Sequence, residues 1–249
     1  HNNSARNFVS RHLLHRLYYA WIIRRCWRWF DKVLCISIET MVFVAGTYRV
    51  PRDQLEFYPL GGRVFDDDEY VERRARGRQD AGVGDSAVLL LQTGKMDRRK
   101  KILESLRAFI GTPGEQLRFV LAGSLDEDLR GEAEALIASD PRIIFLGWRQ
   151  ADALINLLCA ADLYVQPGAQ SATMQMALCA RCPVAFDDVP SHAPFWNGNG
   201  WLLSAPEDLP AAFSEAAANP AILTGMAARS LDTARRLLDY RELAKRLLR

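Results

Sequence analysis

The sequence predicts an α/β fold, a doubly wound parallel sheet with a partial second α/β domain ahead of it. Three observations carry this. First, five short apolar runs recur at regular spacing: Ala87–Leu91, Leu117–Leu121, Ile143–Leu146, Leu163–Val165 and Val184–Phe186. They are continuous rather than alternating, as strands buried on both faces must be. Second, most run into a Gly or Pro turn and then a helical stretch, the βαβ alternation of a parallel sheet covered by helices. Right-handed crossovers make such a sheet Rossmann-like. Third, residues 63–85 are polar and strongly charged, with Gly77, Gly82 and Gly84, and read as a domain linker. The division expected is therefore 1–62 as the remnant of an N-terminal domain, 63–85 as linker, 86–230 as the Rossmann-like domain and 231–249 as a C-terminal helix.

Composition supports a globular chain. Of 249 residues, 49% are apolar and 25% charged, enough to bury a real core. A net charge of +2 argues against a general nucleic-acid binder. The average hides a basic start: Arg6, Arg11, Arg16, Arg24, Arg25, Arg28 and Lys32 face one acid, Asp31, within residues 1–32. The five cysteines have no regular spacing, and Cys179-Ala-Arg-Cys182 is a lone CxxC without the second pair or histidines a zinc site needs. Free cysteines in apolar runs point to a reducing compartment. No charge-free apolar run is long enough to span a membrane. The chain starts at a histidine, which reads as a piece of a longer protein.

Taken in order, residues 4–30 predict one long helix in which three of the six tryptophans are interleaved with arginine. That pattern suits either a core helix that has lost its neighbours or a basic, aromatic helix on an anionic membrane surface. His12 and His15 could share a face of it. Val33–Ile36 predicts a strand, Glu39–Tyr48 a helix closed by Val50-Pro51, and Leu55–Tyr58 a second strand ending at Pro59-Leu60-Gly61-Gly62. After the linker come helices over about 98–111, 126–139 and 150–160. A strand at Trp201–Leu203 and helices at about 206–218, 220–229 and 231–248 finish the chain.

Chemistry is concentrated at two places. Ala160–Asp187 reads as strand, Pro167-Gly168 turn, polar Gln170, Ser171 and Thr173, then a helix. Free backbone N–H groups and the helix dipole make such a start an anion site, although Ser and Thr there also serve as ordinary caps. The second place is Gly94-Lys95-Met96-Asp97-Arg98-Arg99-Lys100-Lys101, which puts cations at a strand's carboxyl end. It is neither a P-loop nor GxGxxG. Ligands of open α/β sheets bind at that end of the strands. Hydrogen bonds to charged groups contribute roughly 1.5–3 kcal/mol each, so cations and helix start together could hold a diphosphate.

These segments, in this order, resemble the C-terminal half of GT-B glycosyltransferases that use nucleotide-sugar donors with retention, the family 4-like group. The resemblance runs from about Cys35 to Leu238. Asp31–Ser37 is similar to the strand closing the N-terminal domain, and Phe57–Gly62 to the entry into the interdomain linker. Gly94-Lys95 with Lys100 resembles the G-R-L…K element, Lys95 standing for the arginine. Phe119–Gly123, Ile143–Gly147, Ala160–Pro167 and Asn197–Leu203 resemble the later strand-turns. One departure stands out: the positions of the family's E-x7-E glutamates hold Gly168 and Met176.

The resemblance implies transfer of a sugar from a nucleotide diphosphate donor, UDP- or GDP-linked, to a glycan or lipid-linked acceptor on the acceptor-side domain of which residues 1–62 are the remnant. It implies a diphosphate site of Gly94, Lys95, Lys100, Ser171, Ala172 and Thr173. The donor sugar and ribose would meet Gly168, Gln170 and Gln175, and the base Gly123, Gly147 and Trp148. It implies no cofactor and no metal, because protein cations stabilise the leaving diphosphate. It places the protein in the cytoplasm, associated with polysaccharide biosynthesis, with residues 4–30 available to touch the membrane's inner face. His192, in a loop near the donor, reads as a surface histidine. His1-Asn2-Asn3 reads as a loop facing the cleft or as a tag remnant. The absent glutamates keep a second reading open, a non-catalytic GT-B-like nucleotide-sugar-binding module.

Overall fold

The computed structural model describes residues 13–168 and 170–248. It divides into two compact units, one ending at Leu60 and one running from Gly61 to the end of the chain.

In the first unit, α1 (Leu13–Cys26) ends in a single 3-10 turn, Trp27–Trp29. The part of the expected N-terminal helix before residue 13 lies outside the described residues, as do His12 and His1-Asn2-Asn3. β1 (Val33–Cys35) pairs in parallel with β2 (Leu55–Phe57), Val33 opposite Leu55. Between them α2 (Ile38–Phe43) starts at Ser37, whose hydroxyl accepts the Thr40 N–H, and widens into a π-turn over Val44–Tyr48. Cys35, Val50 and Leu55 form a small core against Ile23, Trp27 and Tyr48.

The second unit opens with a correction. The stretch expected as a linker is a helix, α3 (Asp67–Ala81), capped by Asp66 and stopped by left-handed Gly82. It belongs to the second unit because it packs on α6 (Ala151–Ala160) at backbone contact distance: a Cβ on Gly77 would lie 2.1 Å from the Asn156 carbonyl oxygen. The arginines on its inner face are absorbed rather than solvated: Arg73 and Arg74 bond to Asn156, Asp152, Asp162 and the end of α6. Charge density suggested a linker; internal pairing made a helix.

The sheet is β3 (Val88–Met96), β4 (Leu117–Leu125), β5 (Ile143–Gly147), β6 (Leu163–Gln166), β7 (Val184–Asp187) and β8 (Gly200–Leu203). Its spatial order is β5-β4-β3-β6-β7-β8, parallel throughout. The predicted doubly wound sheet is therefore present, with order reversing between β3 and β6. Leu90, Phe119, Leu121, Leu163 and Val165 pack with α4 (Ile102–Ile110), α5 (Glu127–Ser139) and α8 (Leu209–Ala218). Phe109 and Phe213 close on Phe119, with ring centroids at 5.3 and 6.3 Å. Each such side chain contributes roughly 1.5–3 kcal/mol on burial. Alternate residues, Leu89, Leu91, Val120 and Tyr164, point the other way and are equally inaccessible.

The remaining helices are α7 (Ala172–Cys179), α9 (Pro220–Thr233) and α10 (Tyr240–Leu247). The single C-terminal helix expected over 231–249 is two pieces. α9 runs on as a π-turn to Leu238, and Asp239 then caps α10. The break is pinned by the glycine pair before α3: Gly62 N donates to Leu238 O at 2.9 Å and Tyr240 N to Gly62 O at 3.1 Å.

Candidate functional site

The reversal of strand order leaves β3 and β6 joined over only two residue pairs, Leu90 with Leu163 and Leu91 with Tyr164. β3 then continues to Met96 while β6 ends at Gln166, so the strands part at their carboxyl ends. A crevice at such a switch point is where open α/β sheets bind ligands.

Two turns meet over it. After β3, Arg98–Lys100 form a 3-10 turn held by Asp97, whose carboxylate accepts the N–H groups of Arg99 and Lys100 and also pairs with the Arg99 guanidinium. Lys101 follows in the left-handed region and starts α4. After β6 comes Gly168, with φ of +107°; a Cβ there would lie 1.9 Å from Arg99 O. Only glycine permits that approach, and it brings the basic turn against the mouth of α7.

Lys100 is the group this arrangement singles out. Its ammonium donates to Thr93 O at 2.9 Å, and Gln92 holds its carbonyl at 2.8 Å. Gly94 makes the room, since a Cβ at that position would sit 3.3 Å from Lys100 Nζ. Burial lowers the Lys100 pKa to about 8, against the opposing pull of Asp97. A half-buried cation whose ammonium donates to a neutral carbonyl is poised for an anion.

The opposite wall is the first turn of α7. Ser171 is its cap, accepting Met174 N at 3.1 Å and donating to Gln166 at 3.1 Å. The N–H groups of the first turn have no intrahelical acceptor. Tyr164 lies beneath, wholly buried, its hydroxyl 2.9 Å from Thr93 Oγ1 and near enough to the Ser171 and Thr173 hydroxyls for them to ease its ionisation. Burial pushes its phenol up to about 12, so it stays protonated.

The structure therefore brings Gly94, Lys100, Gly168, Gln170, Ser171, Ala172 and Thr173 to one rim. It corrects three other expectations. Lys95 does not join Lys100: its ammonium pairs with Asp126 at 2.9 Å and its side chain is 67% exposed. Gln175 does not face the donor side: it is fully buried, and its carbonyl oxygen accepts Gly61 N at 2.9 Å. His192 is no surface residue. It is fully buried, stacked on Phe186, with Nδ1 2.8 Å from Asp187 O. Asp187 in turn binds Lys101 at 2.6 Å, tying the basic turn to the end of β7.

The residues assigned to the base lie further along the same edge. Gly123 is level with Gly94 in the β3–β4 ladder, and a Cβ on it would lie 1.9 Å from Gly94 O, so the close approach of the two strands requires it. Gly147 ends β5 opposite Ala122, and Trp148 beyond it is 69% exposed. Thr93, Tyr164 and the Lys101–Asp187 pair escaped the sequence reading. A tyrosine inside a fully apolar strand was the available signal, since a buried phenol needs a partner. Among the described residues no cluster of three His, Cys, Asp or Glu side chains forms a metal site. All five cysteines are free, and burial pushes Cys159 and Cys179 up to about 12, which leaves these thiols unreactive.

Comparison with known proteins agrees with this architecture. Residues 87–219, more than half the chain, match the family described as glycosyl transferases group 1. Over 160 residues, 61% of this chain and 42% of the relative, the sequence is 25% identical to the alpha-galactosylglucosyldiacylglycerol synthase of Streptococcus pneumoniae. The sucrose-phosphate synthase of Thermosynechococcus elongatus superposes with a TM-score of 0.76 at 18% identity, covering 96% of this chain and 61% of its own. Anabaena HepE, crystallised with UDP and glucose, gives 0.75 at 16% identity, covering 94% and 66%. The chain thus spans less than two thirds of these relatives. With the sheet, its switch point and the family match in agreement, the chain belongs to the group 1 glycosyl transferases and carries the Rossmann-like fold of GT-B enzymes.

Proposed function

We propose that this chain carries the donor-binding half of a glycosyltransferase. It would take a UDP- or GDP-linked sugar and pass the sugar to a glycan or lipid-linked acceptor. The observation that carries the reading is Lys100, a half-buried ammonium with no ion pair of its own, set against the Gly168 turn and the α7 start. Charge that develops on a leaving diphosphate at this rim would be met by a fixed cation and by preorganised N–H donors. The complexes of HepE with UDP and with UDP-glucose support a nucleotide-sugar donor for the same fold. We assign no cofactor and no metal, because protein groups supply the charge. A thermal-shift screen with UDP, GDP, ADP and CMP, followed by a transfer assay with the matching sugar nucleotide, tests the reading. Stabilisation by none of the four would refute it.

A second reading, binding without turnover, is favoured by Gly168 and Met176 at the glutamate positions. Donor binding with neither transfer nor hydrolysis would select it. We further place the protein in the cytoplasm, in polysaccharide assembly, with α1 at an anionic membrane surface. The support is local: Leu17, Tyr18, Trp21, Trp29 and Phe30 are exposed beside Arg24, Arg25 and Arg28. No described helix is long and apolar enough to cross a membrane. Co-sedimentation with anionic but not neutral vesicles is the expected result.

A further inference from the structure

We infer that Tyr164 and Thr93 are positioning residues, a buried hydroxyl cross-link that sets the gap between Lys100 and the start of α7. The inference rests on the diphosphate reading above and assigns residues that reading does not use.

The geometry is specific. The β3–β6 ladder stops at Leu91 and Tyr164, so no backbone bond holds the strands together where the crevice opens. Just beyond the last pair, Thr93 Oγ1 and Tyr164 Oη share a hydrogen bond of 2.9 Å. Both residues are inaccessible to solvent. Thr93 is also the residue whose carbonyl anchors the Lys100 ammonium. The Ser171 and Thr173 hydroxyls, at the cap and first turn of α7, lie near enough to the phenol to hold its pKa down against burial. The phenol thus lies between the anchor of the cation and the origin of the N–H donors. Neither hydroxyl reaches the rim itself, so neither touches a ligand. Without the cross-link the two walls would be set by packing and by the more distant Lys101–Asp187 pair, and a diphosphate bridging them would find the spacing relaxed.

The test compares UDP with uridine, which lacks the diphosphate, by calorimetry on the full chain. Tyr164→Phe and Thr93→Val should each weaken UDP at least fivefold and leave uridine within twofold. Thr93→Ser, which keeps the hydroxyl, should restore UDP binding. Lys100→Ala combined with Tyr164→Phe should be clearly less than additive, whereas a merely structural role for the phenol would give additive losses. Circular dichroism confirms that each variant is folded. Equal losses for UDP and uridine, additivity with Lys100→Ala, or wild-type affinity in both hydroxyl-free variants would overturn the inference. Failure of the unmodified chain to bind UDP, GDP or pyrophosphate would instead overturn the diphosphate reading itself, and this inference with it.

Discussion

At the amino end of the sheet an acid is largely buried with its counter-charges; at the carboxyl end a half-buried cation has no ion pair. Asp162, just before β6, accepts Arg74 at 2.5 Å, Arg78 at 3.2 Å and Leu89 N at 2.7 Å. Arg78, only 4% exposed, is itself held by the carbonyls of Gly84 and Ala87 at 2.6 Å. A cavity of about 540 Å³ adjoins this network, lined by Tyr70, Arg74, Asp162 and α9. Lys100, at the other end, has a carbonyl for its ammonium and a displaced pKa. Size of cavity is thus a poor guide to function here. The compensated network holds α3 onto the sheet, whereas the uncompensated lysine leaves a charge deficit that a ligand can fill.

Breaking the compensated end should have the largest effect on stability. Asp162→Ala leaves the buried Arg78 with only the solvent-exposed Asp85 at 3.7 Å, and removing one partner of a buried pair costs about 3–5 kcal/mol. Urea unfolding should show a loss of that order, while nucleotide affinity of the folded protein stays near the unmodified value. A loss below about 1 kcal/mol would mean that water already solvates the arginines.

Lys100→Ala should do the reverse. A charge-assisted hydrogen bond is worth roughly 1.5–3 kcal/mol, so UDP should bind about ten- to a hundredfold more weakly by calorimetry. Stability should hold or rise, because a partly desolvated cation is removed. Unchanged affinity would take the lysine out of the site.

A pH series sharpens the same contrast. The Lys100 pKa is lowered in the folded chain to about 8, while the unfolded chain keeps the ordinary lysine value. Between those values the unfolded chain binds more protons, so stability should rise with pH through that window. Diphosphate affinity should be level below about pH 8 and fall above it as the ammonium is lost. Both trends should be absent from the Lys100→Ala profiles and so remain when those are subtracted from the unmodified chain's. Persistence of either in the variant would assign it to another group.

How much of this was readable beforehand follows from the range of the interactions. The strands announced themselves as apolar runs, because burial on both faces forces composition directly. Gly94, Gly168 and Ser171 were readable for a related reason: turn and cap geometry is local. The helical nature of 67–81 was not, since its arginines are satisfied by Asp152, Asn156 and Asp162, some eighty positions away. Gln175 and His192 failed the same way. Their partners, Gly61 and the stacked Phe186, are fixed by how the unit closes, and a polar side chain in sequence gives no sign of which neighbour will claim it.

The smallest expected effect separates the two lysines of the basic turn. The family resemblance placed Lys95 and Lys100 on one diphosphate, and the structure parts them. Lys95 sits level with Ser124 in the β3–β4 ladder and turns to Asp126, the residue preceding α5. That pair is open to water, where exposed ion pairs contribute little. Lys95→Ala should therefore leave UDP affinity within about twofold and the melting temperature almost unmoved. Asp126→Ala frees the ammonium and offers the sharper form of the test. If UDP then binds markedly tighter, and Lys95→Ala abolishes the gain, the ion pair is a restraint that holds a second cation away from the rim. If affinity stays level, Lys100 is the cation that grips the diphosphate, and Lys95, Arg99 and Lys101 serve their pairs with Asp126, Asp97 and Asp187.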